Sequence, residues 1–415
     1  MTDFDSSPYA ALMDLLTRYS RRWRTLSLNS SVRPSHLQPL DQFTKEDLPL
    51  LETVYAGRAS LLVVGPNSSA LSSPRADPIP FAKLLPQLPS LRSFHSQLGS
   101  PLTLDIASTY CRLTQLTLSS KILPTTALRQ IAMSCRGLST LTLQLFYSSR
   151  DVHVVLSQGA PVDWPSLREL NLQLEGAGYY NGIHGPDAPS FHPVLKGTFD
   201  SILAPQLRRL FVRFGTSTSR SVEDVVPFQD FIASSPCLTH LYILGYNVLN
   251  AEYFSRCLKF APALTFLTVR PFTQHFPGRR HPRRPVVSVP PPEWISKLLF
   301  SLNGLGLCLE MESFVCGGCT LGDIDLILGF VQGECRSSTL KHLRADLGSL
   351  RGEEVLAVTC ADLTERLGAL RETKGVLVEL DWNVPETIKH DYPSKGMLIE
   401  DSPWVSDSYL NQPHQ

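Results

Sequence analysis

The sequence predicts an α/β fold: an irregular solenoid of stacked repeats, with parallel strands on the concave face and helices outside. Three observations predict it. A short phrase recurs twelve times in chain order: an apolar residue, two others, an apolar residue, one other, an apolar residue. Five copies carry Pro two residues before their first apolar position. Between the phrases, apolar residues recur at i, i+3, i+4 and i+7, the signature of one buried helix face.

The elements follow in order. Ser7 is placed to cap a helix with Pro8 at its first position, and Leu12, Leu15, Leu16 and Tyr19 give that helix an apolar face. Residues 1–22 are thus a capping helix, 23–382 the repeat array, and 383–415 a polar tail. The clearest phrases are Leu113-Leu116-Leu118, Leu138-Leu141-Leu143, Leu167-Leu170-Leu172, Leu207-Leu210-Val212, Leu238-Leu241-Ile243, Leu264-Leu267-Val269 and Leu302-Leu305-Leu307. Weaker copies are Trp23-Leu26-Leu28, Leu51-Val54, Leu91-Phe94, Leu340-Leu343-Ala345 and Leu377-Leu380. The Pro residues of the lead-ins are Pro89, Pro165, Pro205, Pro236 and Pro262, where they end a helix and set the preceding residue extended. Helix faces are read at Leu128-Ile131-Ala132-Cys135, at Tyr253-Phe254-Cys257-Leu258-Ala261, at Ile324-Ile327-Leu328-Val331 and along Leu356-Cys360-Leu363-Leu367-Leu370. A basic, Pro-rich stretch over about 273–293, including Arg279, Arg280, Arg283 and Arg284, reads as an exposed loop between repeats. Its sharper readings are a nuclear-import signal or a contact for an acidic partner. Gly176 to Gly185 reads as a loop that lengthens one repeat. One such unit is too small to fold alone, so units must share a continuous core.

These features resemble the leucine-rich-repeat family, whose motif is L-x-x-L-x-L-x-x-N/C. The family's Asn/Cys slot holds Lys121, Phe146, Glu175, Gly215, Tyr246, Phe272 and Glu310 instead. The turn after each strand must be closed by other means. The opening helix, followed by Arg21-Arg22-Trp23-Arg24-Thr25-Leu26-Ser27-Leu28, resembles the region after the F-box in fungal F-box/leucine-rich-repeat proteins. In that family the F-box docks the adaptor of a cullin-based ubiquitin ligase and the repeats hold the substrate. The resemblance therefore implies a substrate-receptor role. About ten residues precede the opening helix and none matches an F-box, so the expectation is that this chain alone does not bind the adaptor.

Composition narrows the function. The chain has 415 residues, 66 of them leucine, with 38 basic and 38 acidic groups and no net charge. A general nucleic-acid or membrane-surface binder would carry a basic excess. The apolar stretch Leu298–Leu309 is too short to cross a bilayer, which takes about 20 residues. Two early acids and no apolar run argue against a secretory signal, and nine scattered cysteines, such as Cys135, Cys257, Cys335 and Cys360, read as reduced and buried. The expected location is cytoplasmic or nuclear. Cys316-Gly317-Gly318-Cys319 is a lone C-x-x-C without the further ligands that zinc needs, and reads as a glycine turn. No phosphate loop, metalloprotease motif or nucleophile elbow is present. No cofactor and no metal are expected. The rival reading is a thiol- or zinc-dependent enzyme on an irregular α/β scaffold, using Cys316 or Cys319 with a nearby His.

With positions four and six of each phrase buried, positions three, five and seven face the other way. In the early units these are Gln115, Thr117, Ser119, Thr140, Thr142, Gln144, Glu169, Asn171 and Gln173, a polar stripe. In the middle units they become Arg209, Phe211, Arg213, His240, Tyr242, Leu244, Phe266, Thr268 and Arg270. Arginine and aromatics dominate binding hot spots. The candidate partner site is Arg209, Phe211, Arg213, His240, Tyr242, Phe266 and Arg270, and the expected partner is a protein segment with acidic groups and an apolar anchor.

Overall fold

The computed structural model describes residues 12, 15–28, 40, 42–56, 84–97, 112–120, 125–147, 161–176, 198–214, 226–245, 249–271, 293–333, 339–347 and 365–382. Ser7, Pro8, Cys335, Leu356, Cys360, Leu363, the basic stretch at 273–292, residues 177–185 and the tail at 383–415 lie outside them.

Twelve of the strands make one sheet. They are β1 (Thr25–Leu28), β2 (Thr53–Ala56), β3 (Ser93–Gln97), β4 (Gln115–Ser120), β5 (Thr140–Tyr147), β7 (Glu169–Gly176), β9 (Arg209–Phe214), β10 (His240–Leu244), β11 (Phe266–Arg270), β12 (Ser313–Cys319), β13 (His342–Leu347) and β14 (Leu377–Trp382), hydrogen-bonded in that order. Every pairing is parallel, and the sheet does not close. Two short strands, β6 (Val162–Asp163) and β8 (Ile202–Leu203), pair with each other in a second sheet. The helices are α1 (Thr125–Ser134), α2 (Val226–Ala233), α3 (Ala251–Leu258), α4 (Trp294–Gly304) and α5 (Ile324–Gln332), with further helix over 365–374.

The lead-ins explain how each strand starts. Leu167, Leu207, Leu238 and Leu264 donate their N–H to the carbonyls of Trp164, Ala204, Ser235 and Ala261, at 3.0–3.2 Å. Each Pro thus sits second in a β-turn, where its fixed φ is already correct. The leucine that follows is fully buried. The next residue then stitches the units together. The carbonyl of Arg168 accepts from Arg208 N and Arg209 N, that of Arg208 from Thr239 N and His240 N, and that of Thr239 from Thr265 N and Phe266 N, all at 2.9–3.0 Å. The same double acceptance runs from Arg24 to Glu312 through the units between.

Alternation along the strands divides the sheet into two faces. Positions four and six, such as Leu141 and Leu143 or Leu210 and Val212, are buried in one hydrophobic cluster with the helix residues Leu128, Ile131, Phe228, Phe254, Leu298 and Ile327. A line of rings runs through that layer: Phe199–Phe228 at 5.2 Å, Phe228–Phe254 at 6.4 Å and Phe254–Trp294 at 5.8 Å between centroids. Neighbouring units therefore share one core.

The structure corrects three expectations. Leu302-Leu305-Leu307 is not a strand phrase. Leu302 closes the buried face of α4 with Leu298 and Leu299, and Leu305 is exposed in the turn beyond it. The strand of that unit is β12, whose buried phrase is Met311-Phe314-Cys316. The last phrase is also shifted. Val378 and Leu380 lie opposite Leu343 and Ala345, so Leu380 is at position six and Leu377 at position three, where it is exposed. Finally, Leu12, Leu15, Leu16 and Tyr19 are 50, 52, 39 and 53% exposed, so the predicted apolar face of the capping helix is not buried. The first units are closed instead by Leu40, Leu48 and an edge-on contact of Trp23 with Phe43 at 5.7 Å.

Candidate protein-binding face

The strand register brings the predicted site residues together. Arg209, His240 and Phe266 lie side by side on β9, β10 and β11 at position three. Phe211, Tyr242 and Thr268 form the next row, and Arg213, Leu244 and Arg270 the third. Each alternates with a buried neighbour: Leu210, Val212 and Phe214 are inaccessible, while Arg209, Phe211 and Arg213 are half-exposed. Thr268 departs from the expectation, being small enough to be covered by its neighbours.

Four of these side chains touch as rings. Tyr242 meets Phe211 at 6.2 Å and Phe266 at 5.4 Å, both tilted, and His240 stacks on Phe266 at 5.6 Å with 11° between planes. Such pairs contribute about 0.5–1.5 kcal/mol beyond the area they bury. Thr239 Oγ1 lies 2.9 Å from His240 Nδ1 and holds the ring in that plane. Burial lowers the pKa of His240, and the Arg209 guanidinium lowers it further. Burial raises the Tyr242 phenol. Both side chains are therefore neutral near pH 7, and the cluster presents an apolar surface.

The arginines are less available than the sequence implies. Arg209 Nη2 is 2.8 Å from Glu169 Oε2 on the preceding strand. Arg270 Nε is 3.1 Å from Asp346 Oδ2, an ion-pair contact without hydrogen-bond alignment. Asp346 also accepts from Arg344 Nε at 3.2 Å. Arg270 reaches Asp346 across the whole width of β12. It can do so because Gly317, opposite Asp346, has no side chain there: a Cβ on Gly317 would start 3.2 Å from Arg270 Cγ.

Three further features on this face lie outside the predicted partner site; of their residues Glu169 belongs to the predicted polar stripe, and Ser313 lies in the unit whose phrase the leucine spacing misplaces. Tyr55 and His95, each at position five, stack at 4.4 Å with 14° between planes. Glu169 and Asp346 are the carboxylates just described. Ser313, His342 and Glu379 form a chain across the last three strands, with Ser313 Oγ 3.1 Å from His342 Nδ1 and His342 Nε2 3.2 Å from Glu379 Oε2. The early stripe is polar as expected, with Gln144 donating to Gln173 Oε1 at 3.1 Å.

Cys316 and Cys319 lie inside β12 rather than in a free turn, and both are buried. All six described cysteines are free thiols. Burial pushes the Cys257 thiol up to about 12. Among the described residues, no group of three or more His, Cys, Asp or Glu could hold a metal ion, and no helix is long and apolar enough to cross a membrane. Compared with known proteins, the chain matches no family model and no curated relative.

Proposed function

We propose that this chain is a non-catalytic, protein-binding leucine-rich-repeat solenoid, whose half-exposed sheet face is concave and holds a partner segment. The observation that carries the reading is the ring cluster Phe211–Tyr242–Phe266–His240. A soluble fold gains little by leaving four touching rings half-exposed, whereas a partner's apolar side chain would bury them. The linear order of twelve parallel strands, with helices sharing the core on the opposite side, supports the solenoid form. The partner is a segment with an apolar anchor. Its acidic groups would have to compete with Glu169 and Asp346 for the arginines, so they add specificity more than affinity. A substrate-receptor role like that of F-box proteins is the narrower form of this reading. Capture of the cullin-ligase adaptor by residues 1–415 would overturn the expectation that this chain alone does not bind it.

The test uses the purified chain against a displayed peptide library, followed by titration of an enriched peptide. Phe211→Ala with Tyr242→Ala is compared with Thr117→Ala and Thr142→Ala from the polar stripe. The first pair weakens binding at least about thirtyfold and the second leaves it unchanged. Both stay folded, since all four side chains are half-exposed. Unchanged affinity in a folded first pair removes the site.

A further inference from the structure

The sulfurs of Cys316 and Cys319 are 3.5 Å apart, with both side chains buried. Regular strand geometry would not allow this, because residues three apart point to opposite faces. A bulge makes it possible. Cys316 lies opposite Ala345 and Gly317 opposite Asp346, but the next pair is Cys319 with Leu347. The extra residue is Gly318, whose φ of 74° suits only glycine. It returns Cys319 to the same face as Cys316. The bulge therefore positions two thiols that the strand would otherwise keep apart.

We propose that Cys316 and Cys319 are an oxidation site that closes reversibly to a disulfide, and that the closed form disturbs the Arg270–Asp346 bridge on the opposite face. The oxidant class is a hydroperoxide. One thiol loses its proton and its sulfur attacks the peroxide, the O–O bond breaks, and an alcohol (water, for hydrogen peroxide) leaves. The resulting sulfenic acid is attacked by the second sulfur once that thiol has lost its proton. The S–O bond breaks, water leaves, and the S–S bond forms. Two thiols are oxidised and one peroxide is reduced. Cys319 is the better first acceptor of oxygen, because it ends the strand beside exposed Thr320. Its hydrogen bond to Cys316, together with burial, holds the Cys316 thiol well above its ordinary range. The second step, which needs the Cys316 thiolate, is therefore slow at neutral pH and faster in mild alkali.

Coupling to the other face runs through Gly317. The sulfurs must approach from 3.5 Å to about 2.05 Å. Gly317 and Gly318 are the only residues between them, so the four-residue loop must tighten. Gly317 lies directly beneath the bridge: a Cβ there would be 3.1 Å from Pro271 Cδ, 3.2 Å from Arg270 Cγ and 3.5 Å from Asp346 Oδ2. Any shift of Gly317 moves those contacts. The oxidation itself does not depend on the protein-binding reading; only its consequence for a partner does.

The experiment treats the full chain with hydrogen peroxide, alkylates the remaining thiols in denaturant and maps the peptides. The expected product is a single peptide holding Cys316 and Cys319, unalkylated and lighter by two hydrogens (about 2 Da), which dithiothreitol reverses. Hydrogen exchange then speeds up over 266–271 and 342–347 in the oxidised form, with 140–147 unchanged. Exposed Cys237 is the internal control for indiscriminate oxidation. If Cys237 oxidises while Cys316 and Cys319 remain alkylatable, the site is overturned. If the disulfide forms with no change in exchange at 266–271, the coupling is overturned. Cys319→Ala abolishes the mass loss, and the wild-type peptide map stands even if that variant folds poorly.

Discussion

At Gly245, a φ of 85° and the carbonyl oxygen of Phe214, which would lie 2.4 Å from an added Cβ, leave no room for a side chain. The backbone term alone is roughly 1–2 kcal/mol for a non-glycine residue, and the contact adds to it. Gly245→Ala should therefore cost at least about 2 kcal/mol in urea unfolding. Gly304→Ala, with nothing within 4 Å, should be neutral or slightly stabilising. Two histidines make a second residue-level prediction. Burial lowers the pKa of both His95 and His240 from 6.5. The unfolded chain therefore takes up protons first as pH falls, so stability is full above about pH 6.5 and declines below it until the folded-state values are reached. Urea midpoints from about pH 7.5 to about 5.5 should drop, and His95→Gln with His240→Gln should flatten that drop. An unchanged slope in the double variant would show that neither ring is the cause.

Among the elements, β12 separates what the sequence reveals from what it hides. Phe314 is fully buried and touches Phe330 at 5.7 Å, whereas Leu305 is 55% exposed. Phe314→Ala should lose about 3–5 kcal/mol. Leu305→Ala should stay within about 0.5 kcal/mol, although it belongs to the more conspicuous leucine phrase. Denaturant melts of the two variants decide between the phrases. Leucine spacing located β4, β5, β7, β9, β10 and β11 because there the buried positions are aliphatic, and before the last four of these a Pro also marks the lead-in turn. It failed at β12 because Met311 and Cys316 fill the same positions with less typical residues, while Leu302 in α4 and Leu305 and Leu307 just beyond it happen to match the phrase's spacing. In β14 a glycine occupies position one, so the phrase was read two residues late. The site rows were legible from strand phase alone. The ion pairs were not, because they depend on which strands lie side by side and on the missing side chain of Gly317 beneath Arg270.

For the whole molecule, the order of strands within the twelve-stranded sheet follows chain order, and each of those strands bonds only to the ones before and after it in that order. Stability in such an array is a sum of unit and interface terms, weakest at the ends. Amide exchange should therefore be slowest over β7, β9 and β10, whose core positions are almost all inaccessible, and fastest over β1 and β14. Uniform protection along the array would contradict this.

The double-acceptor carbonyls from Arg24 to Glu312 also set how the molecule carries load. Each links one unit to the next, and no strand bonds to a unit further along. A pull on the two ends is then met by one seam at a time rather than by many in parallel. Stretched by its ends, the protein should unzip as a train of small, similar force peaks. Each peak would release one repeat of roughly 30 residues, or about 100 Å of extended chain. A tether held by both ends would yield gradually and rewind unit by unit when slackened.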